Sequence, residues 1–158
     1  MVEVSLTPVE MLVAAYVAGM RRVGAIKEGK GEAHGYRKGD PWDLNIRGAM
    51  GELAFAKGMN VYWPMRVGDY GEGPPDFPPD VEIKTLGKHY YDLAIRPNSH
   101  DDRAYVLVTG IASPFRIHGW IWGSEKEEFG VKTDFGNGRP GMYRIAQAKL
   151  HSLDRLEI

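Results

Sequence analysis

The chain has 158 residues, 43% of them hydrophobic and 26% charged, which is typical of a single globular domain and excludes a disordered chain. The 20 Lys and Arg residues nearly balance the 21 Asp and Glu residues, so no global positive field indicates a polyanionic partner, although a local basic patch is allowed. The absence of cysteine excludes disulfides and thiolate metal sites and agrees with a reducing compartment.

The hydropathy pattern argues against a membrane partner. No apolar run approaches the ~20 residues that span a bilayer, and the first residues lack the pattern of a secretory signal. We therefore expect a cytoplasmic protein, located in the host cytoplasm if its source is viral.

Two helices are predicted in the first third of the chain. Thr7-Pro8-Val9-Glu10 forms a capping box with proline at the first helical position, and the helix is expected to end at Gly24. Asp40-Pro41-Trp42-Asp43 predicts a second helix that continues to Lys57-Gly58. Between them, residues 21–39 form a basic, glycine-rich connector. The first helix has apolar residues at spacings of three and four that predict one buried stripe: Val9, Leu12, Val13, Tyr16, Val17 and Met20.

Strand-like alternation follows the second helix, and a third helix is expected at the end. The pattern predicts a single α+β (mixed α/β) domain over residues 1–158, without the regular alternation of a doubly wound fold. Its helical part covers about 6–58, its sheet core about 60–123 and its closing helix about 143–155. The predicted strands are Val61–Trp63, Val81–Thr85, Tyr91–Ile95, Tyr105–Ile111 and Phe115–Trp122.

The segment from Pro75 to Thr85 carries the most chemical information. Side chains alternate along a strand, so Glu82 and Lys84 are expected to share one face while the apolar residues share the other. The Pro-Pro pair before the strand cannot continue a ladder and predicts a turn, which can return Asp76 alongside Glu82. Two carboxylates placed together suit Mg²⁺, a hard cation that prefers oxygen ligands.

These residues resemble the PD-(D/E)XK family of restriction-endonuclease-like nucleases. Pro75-Asp76 is similar to the first half of the family motif and Glu82-Ile83-Lys84 to the second. The resemblance implies a central mixed sheet flanked by helices and a metal-dependent nuclease that hydrolyses DNA. It implies that Asp76, Glu82 and the Ile83 carbonyl bind Mg²⁺ or Mn²⁺, and that Lys84 serves the attacking water. Glu52, in a Gly-rich helical segment that resembles another family element, would complete the catalytic set.

Several alternatives stay open at this stage. Only five residues separate Asp76 from Glu82, a shorter excursion than in many family members, and Asp80 also follows a proline, so Asp80 competes as the metal ligand. The protein could bind nucleic acid or act structurally on the same fold without catalysis, or it could hydrolyse a small phosphate ester. RNA in place of DNA, endo or exo cleavage, a homodimer, and a role in repair, recombination or phage DNA processing are also undecided.

Overall fold

The computed structural model describes residues 1–29, 40–68, 73–134 and 141–158. Three α-helices lie in these ranges: α1 (Pro8–Lys27), α2 (Pro41–Met59) and the short α3 (Lys126–Phe129). The strands are β1 (Val2–Val4), β2 (Val81–Leu86), β3 (Leu93–Ile95), β4 (Ala104–Thr109), β5 (Phe115–Trp122), β6 (Val131–Thr133) and β7 (Met142–Ile145). Within the described ranges, no helix combines the length and apolar character needed to cross a bilayer.

Both long helices begin at the predicted caps. The Thr7 hydroxyl accepts the Glu10 N–H at 3.2 Å, and the Glu10 carboxylate accepts the Thr7 N–H at 2.6 Å. The Asp40 carboxylate accepts the Trp42 N–H at 2.9 Å in the same way. The predicted stop at Gly24 is wrong, because α1 continues to Lys27. The part of the predicted basic connector from 30 to 39 lies outside the described residues.

The strands form two sheets, which confirms a mixed α+β fold. The larger sheet has the order β1-β5-β4-β2, and only its β2–β4 pair is parallel. The smaller sheet has the order β3-β7-β6 and is antiparallel. Among the described residues, β2 is therefore the outermost strand on its side of the larger sheet.

The larger sheet is covered on both faces, but by different structures. Val106 and Val108 of β4 join the core that includes α1 and α2. Tyr105 and Leu107, which point the other way, join a second core with Leu93 of the smaller sheet. The expectation that helices flank the sheet is thus correct for one face, while the small sheet takes the helices' place on the other.

Two predicted elements differ from the structure, and one observed strand was not predicted. Residues 61–63 are not a strand. The closing helix over about 143–155 is wrong, because Met142–Ile145 is the central strand of the smaller sheet and short 3₁₀ turns follow it. Ile145 pairs with Leu93, a partner so distant in sequence that a local helical pattern gives no sign of it. Strand β1, which pairs with β5, was not predicted.

The predicted buried stripe of α1 is also wrong. Among its six residues only Val17 is buried, whereas Val9, Leu12 and Tyr16 are each 70% exposed. The buried face of α1 is made of Ala14, Val17 and Ala18. Small residues allow the helix to approach its neighbour closely, so the large apolar residues are left on the outside.

Candidate active site

Asp76 is positioned by a tight hairpin that precedes β2. Phe77 and Val81 exchange two backbone hydrogen bonds of 2.9 Å, so the chain reverses direction across residues 78–80. The buried Phe77 ring packs edge-on against Phe55 of α2, with 5.0 Å between the ring centroids. This contact fixes the hairpin on the helix, so the turn expected from the Pro-Pro pair holds Asp76 beside the strand.

Asp76 lies against the outer edge of β2. Its Oδ2 accepts the Ile83 N–H at 2.8 Å. On the opposite edge, which faces β4, the carbonyls of Asp80 and Leu86 accept backbone hydrogen bonds. Because the N–H and C=O of one strand residue point the same way and alternate along the strand, the Ile83 carbonyl faces the same outer edge as Asp76. A carboxylate and a carbonyl are therefore neighbours there.

Glu82 and Lys84 share a face of β2, as predicted. The Lys84 ammonium donates to Glu82 Oε1 at 2.9 Å, and its Nζ lies 5.5 Å from the centre of the Tyr105 ring. Arg103 reaches the second oxygen of Glu82, with Nη1 at 3.4 Å, and donates through Nη2 to the Gly73 carbonyl at 2.7 Å. Arg103 thus ties the strand that carries Glu82 to the segment that leads to Asp76. Arg103 was not predicted from the sequence.

Glu52 projects from α2 and is buried, with 7% of its surface exposed. Arg21 of α1 donates to both carboxylate oxygens, at 2.6 and 2.8 Å, and Trp63 Nε1 donates to one of them at 3.0 Å. Arg21 is held in turn by the Arg66 carbonyl, which accepts from its Nε at 2.7 Å. Both oxygens of Glu52 are therefore satisfied by protein donors, and neither Arg21 nor Trp63 was predicted as a partner.

Close packing between α2 and β2 sets the position of Glu52. A Cβ atom added to Gly51 would lie 1.9 Å from Thr85 Oγ1, so the helix can approach the strand this closely only with glycine at that position. The same atom added to Gly48 would meet nothing within 4 Å. The close approach of α2 to β2 near Glu52 therefore depends on Gly51 and not on Gly48.

Negative charge concentrates around Asp76. Burial of its carboxyl group raises the pKa of Asp76 to about 8, and repulsion from Glu52 and Glu82 contributes to this rise, against the opposing effects of the Ile83 N–H and Lys84. Three acidic groups from α2, the hairpin and β2 thus act on one another at this edge. A carboxyl group that resists ionisation among other carboxylates is a marker of functional sites.

The three acidic groups do not form a closed metal cage. Within the residues that the structure describes, no group of three or more acidic or histidine side chains converges closely enough to hold a metal ion. The donor set that remains consists of Asp76, Glu82 and the Ile83 carbonyl. These are all oxygen donors and so have the chemistry that Mg²⁺ and Mn²⁺ prefer.

The competing aspartate, Asp80, lies in the reversal of the hairpin. Its carbonyl accepts the Ala104 N–H at 2.9 Å, and the residue lines a surface cavity together with Pro79 and Trp122. Asp76 is the aspartate that bonds to the outer edge of β2. Asp76 therefore lies at the outer edge of β2, whereas Asp80 lies in the turn beside a surface cavity.

A second polar cluster lies between the two sheets. The buried Thr109 hydroxyl lies 2.7 Å from His118 Nε2 and 2.9 Å from His89 Nδ1. Gln147 donates to the His89 carbonyl at 2.7 Å. Burial, together with the nearby His89 and Arg116, lowers the pKa of His118. The members of this cluster satisfy one another, so we assign it to packing between the two sheets.

Comparison of the chain with protein-family models, curated proteins and solved structures found no match in any of the three sets.

Proposed function

We propose that this protein is a divalent-metal-dependent nuclease of the PD-(D/E)XK type, with a restriction-endonuclease-like core, that hydrolyses phosphodiester bonds in DNA. The observation that carries the proposal is the placement of Asp76, which is hydrogen-bonded to Ile83 and repelled by Glu52 and Glu82. A divalent cation beside these groups would offset the repulsion and favour the ionised carboxylate. These electrostatics support the proposal of a cation-binding site.

In this proposal Asp76, Glu82 and the Ile83 carbonyl hold Mg²⁺ or Mn²⁺. The bound ion would polarise the phosphorus–oxygen bond and lower the pKa of a water molecule. Glu82 already pairs with the Lys84 ammonium at 2.9 Å, so it must exchange part of this contact for the cation. The exchange would release Lys84 toward the substrate.

Lys84 is well placed to serve the attacking water. Its side chain is one-third exposed and so can reach solvent, and its position next to Glu82 keeps it beside the proposed ligands. An ammonium there would orient the water and offset negative charge on the phosphate oxygens as the new bond forms. Glu52 would act through its charge, because Arg21 and Trp63 hold both of its oxygens.

The cations around the acidic groups support a phosphodiester as the substrate class. Lys84 and Arg103 lie within hydrogen-bond distance of Glu82 and so bring positive charge to the site. Such groups bind a phosphodiester backbone without reading its bases. We therefore favour a polymeric substrate that is recognised by its structure or its ends, in repair, recombination or phage DNA processing.

One observation favours a non-catalytic protein as the alternative. Glu52 and Glu82 already form ion pairs with Arg21, Lys84 and Arg103. A network that satisfies itself in this way can stabilise a fold without any metal ion. On this alternative the protein would bind nucleic acid or act structurally, and would not cleave.

The test is incubation of the purified protein with end-labelled duplex, branched and single-stranded DNA, and with RNA of the same sequence, in Mn²⁺, Mg²⁺ or EDTA. We expect shorter DNA products with either metal and none in EDTA. Asp76→Asn should abolish cleavage, whereas the matched variant Asp80→Asn should retain it. Binding without product formation would support the non-catalytic alternative, and hydrolysis of nucleotides alone would indicate a small phosphate ester as substrate.

A further inference from the structure

Helix α1 carries an apolar stripe on its outer face. Val9, Leu12 and Tyr16 are each 70% exposed and Ile26 is 54% exposed. Val13, Met20 and Val23 lie along the same face with 41–45% of their surfaces exposed. A continuous exposed apolar patch on a folded domain marks an interaction surface.

The stripe has the spacing of a coiled-coil seam. Val9, Tyr16 and Val23 recur every seven residues. Leu12, Gly19 and Ile26 recur at the same interval, three residues after each of them. These two series occupy the a and d positions of a heptad, which face a partner helix.

The stripe is not needed for the core of its own domain. Helix α1 already packs into that core through Ala14, Val17 and Ala18 on its other side. The exposed residues therefore form a second apolar face of the helix.

We propose that the partner of this face is α1 of a second copy of the chain, packed antiparallel across a two-fold axis. In the register centred between Val17 and Ala18, position 9 faces position 26 and position 12 faces position 23, which pairs apolar with apolar residues throughout. The largest residue, Tyr16, then faces Gly19 of the other copy. A Cβ added to Gly19 would have one neighbouring atom within 4 Å, in the Trp42 ring at 3.9 Å, so Gly19 leaves open space that can receive the Tyr16 side chain.

A parallel pair would not have this complementarity. It would place the two Tyr16 side chains against each other and the two Gly19 positions against each other, which leaves one crowded point and one gap. Packed interfaces resemble protein interiors in their density. The sequence of the stripe therefore favours the antiparallel arrangement.

The area of the stripe is comparable with that of a dimer interface. If the contact covered the stripe completely, the exposed fractions of the seven apolar residues would bury at most roughly 750 Å² on each copy, against the ~800 Å² that each partner buries in a standard interface. An isologous contact of this kind closes on itself and does not extend into filaments.

The first experiment measures molecular mass by sedimentation equilibrium or light scattering over a range of concentrations. The wild-type protein should dimerise, while Leu12→Glu and Tyr16→Glu should be monomeric with unchanged circular dichroism, because both side chains are exposed in the single copy. Tyr62, which is 77% exposed and lies outside the stripe, gives the matched control Tyr62→Glu, which should remain dimeric. A monomeric wild type, or a dimer that survives both stripe variants, would overturn the proposal.

The second experiment tests the direction of packing, using the natural absence of cysteine. Val9→Cys combined with Ile26→Cys should form an intermolecular disulfide under oxidation and migrate at twice the mass on a non-reducing gel. Val9→Cys alone should not, because the two copies of position 9 would lie ~26 Å apart at opposite ends of the helix pair. Efficient cross-linking of the single variant would contradict the antiparallel register. Neither experiment depends on nuclease activity.

Discussion

Replacing Asp76 with asparagine should stabilise the metal-free protein. Folding raises the pKa of the Asp76 carboxyl group from 3.8 to about 8, so between these pH values the folded state binds a proton that the unfolded state has released. The free energy of unfolding must then fall as the pH rises from 3.8 to about 8. The asparagine would carry no charge, and its side-chain oxygen could still accept the Ile83 N–H.

The size of the effect follows from the pKa difference. A pKa shift of this size costs the folded protein ~5 kcal/mol at pH 8. Asp76 as a whole residue is half-buried, so water screens part of the repulsion, and we expect about half of this cost. Asp76→Asn should raise the free energy of unfolding by ~3 kcal/mol at pH 8 and by ~1 kcal/mol at pH 5.

Urea unfolding followed by tryptophan fluorescence, in EDTA at pH 5, 6.5 and 8, would measure this difference. Asp80→Asn is the matched control, and its stability should stay within ~0.5 kcal/mol of wild type at every pH. Saturating Mn²⁺, at about 100 times its dissociation constant, should stabilise the wild type by ~2.7 kcal/mol and leave Asp76→Asn unchanged. A destabilised Asp76→Asn protein at pH 8, or a difference that does not vary with pH, would refute the reasoning.

Five further variants, at four positions, test the remaining parts of the site. Lys84→Ala should lower the rate of cleavage by a factor of about 10²–10⁴. It should not weaken Mn²⁺ binding measured by calorimetry, because the substitution removes a competing ammonium group and no metal ligand. A variant that still cleaves DNA would contradict the role given to Lys84. Arg103→Ala should raise the Mn²⁺ concentration needed for half-maximal cleavage about tenfold, with a smaller change in kcat. Arg103→Lys should recover part of this lost metal affinity. An unchanged metal requirement would show that Arg103 does not position the ligands. Gly51→Ala should destabilise the protein by ~1–3 kcal/mol, because the added methyl group overlaps Thr85. Gly48→Ala should stabilise it by ~0.5–1 kcal/mol. Equal melting temperatures for the two variants would be inconsistent with the packing of α2 on β2.

Several features could be predicted from the sequence because they depend on neighbours along the chain. The capping residues Thr7 and Asp40 bond to N–H groups two or three residues away, and strand alternation alone places Glu82 and Lys84 on one face. The hairpin before β2 is also local, because the Pro-Pro pair cannot continue a strand. The carry-over of metal and catalytic roles from the family resemblance stays a prediction.

Other features depended on contacts between distant segments. Arg21 meets Glu52 across 31 residues and Arg103 meets Glu82 across 21, and a count of charges does not predict such pairs. The strand near the end of the chain exists because β3 and β6 lie on either side of it.

Helix α1 shows most clearly which features depend on the sequence alone and which depend on the tertiary structure. The sequence by itself determined that one side of the helix is apolar, because that depends only on the 3.6-residue turn. Only the tertiary structure decided that the small residues of the other side would face the core and leave the large ones outside. The physical reason is that hydrophobic burial has no direction of its own, so the shape of the neighbouring helix determines which apolar face is covered.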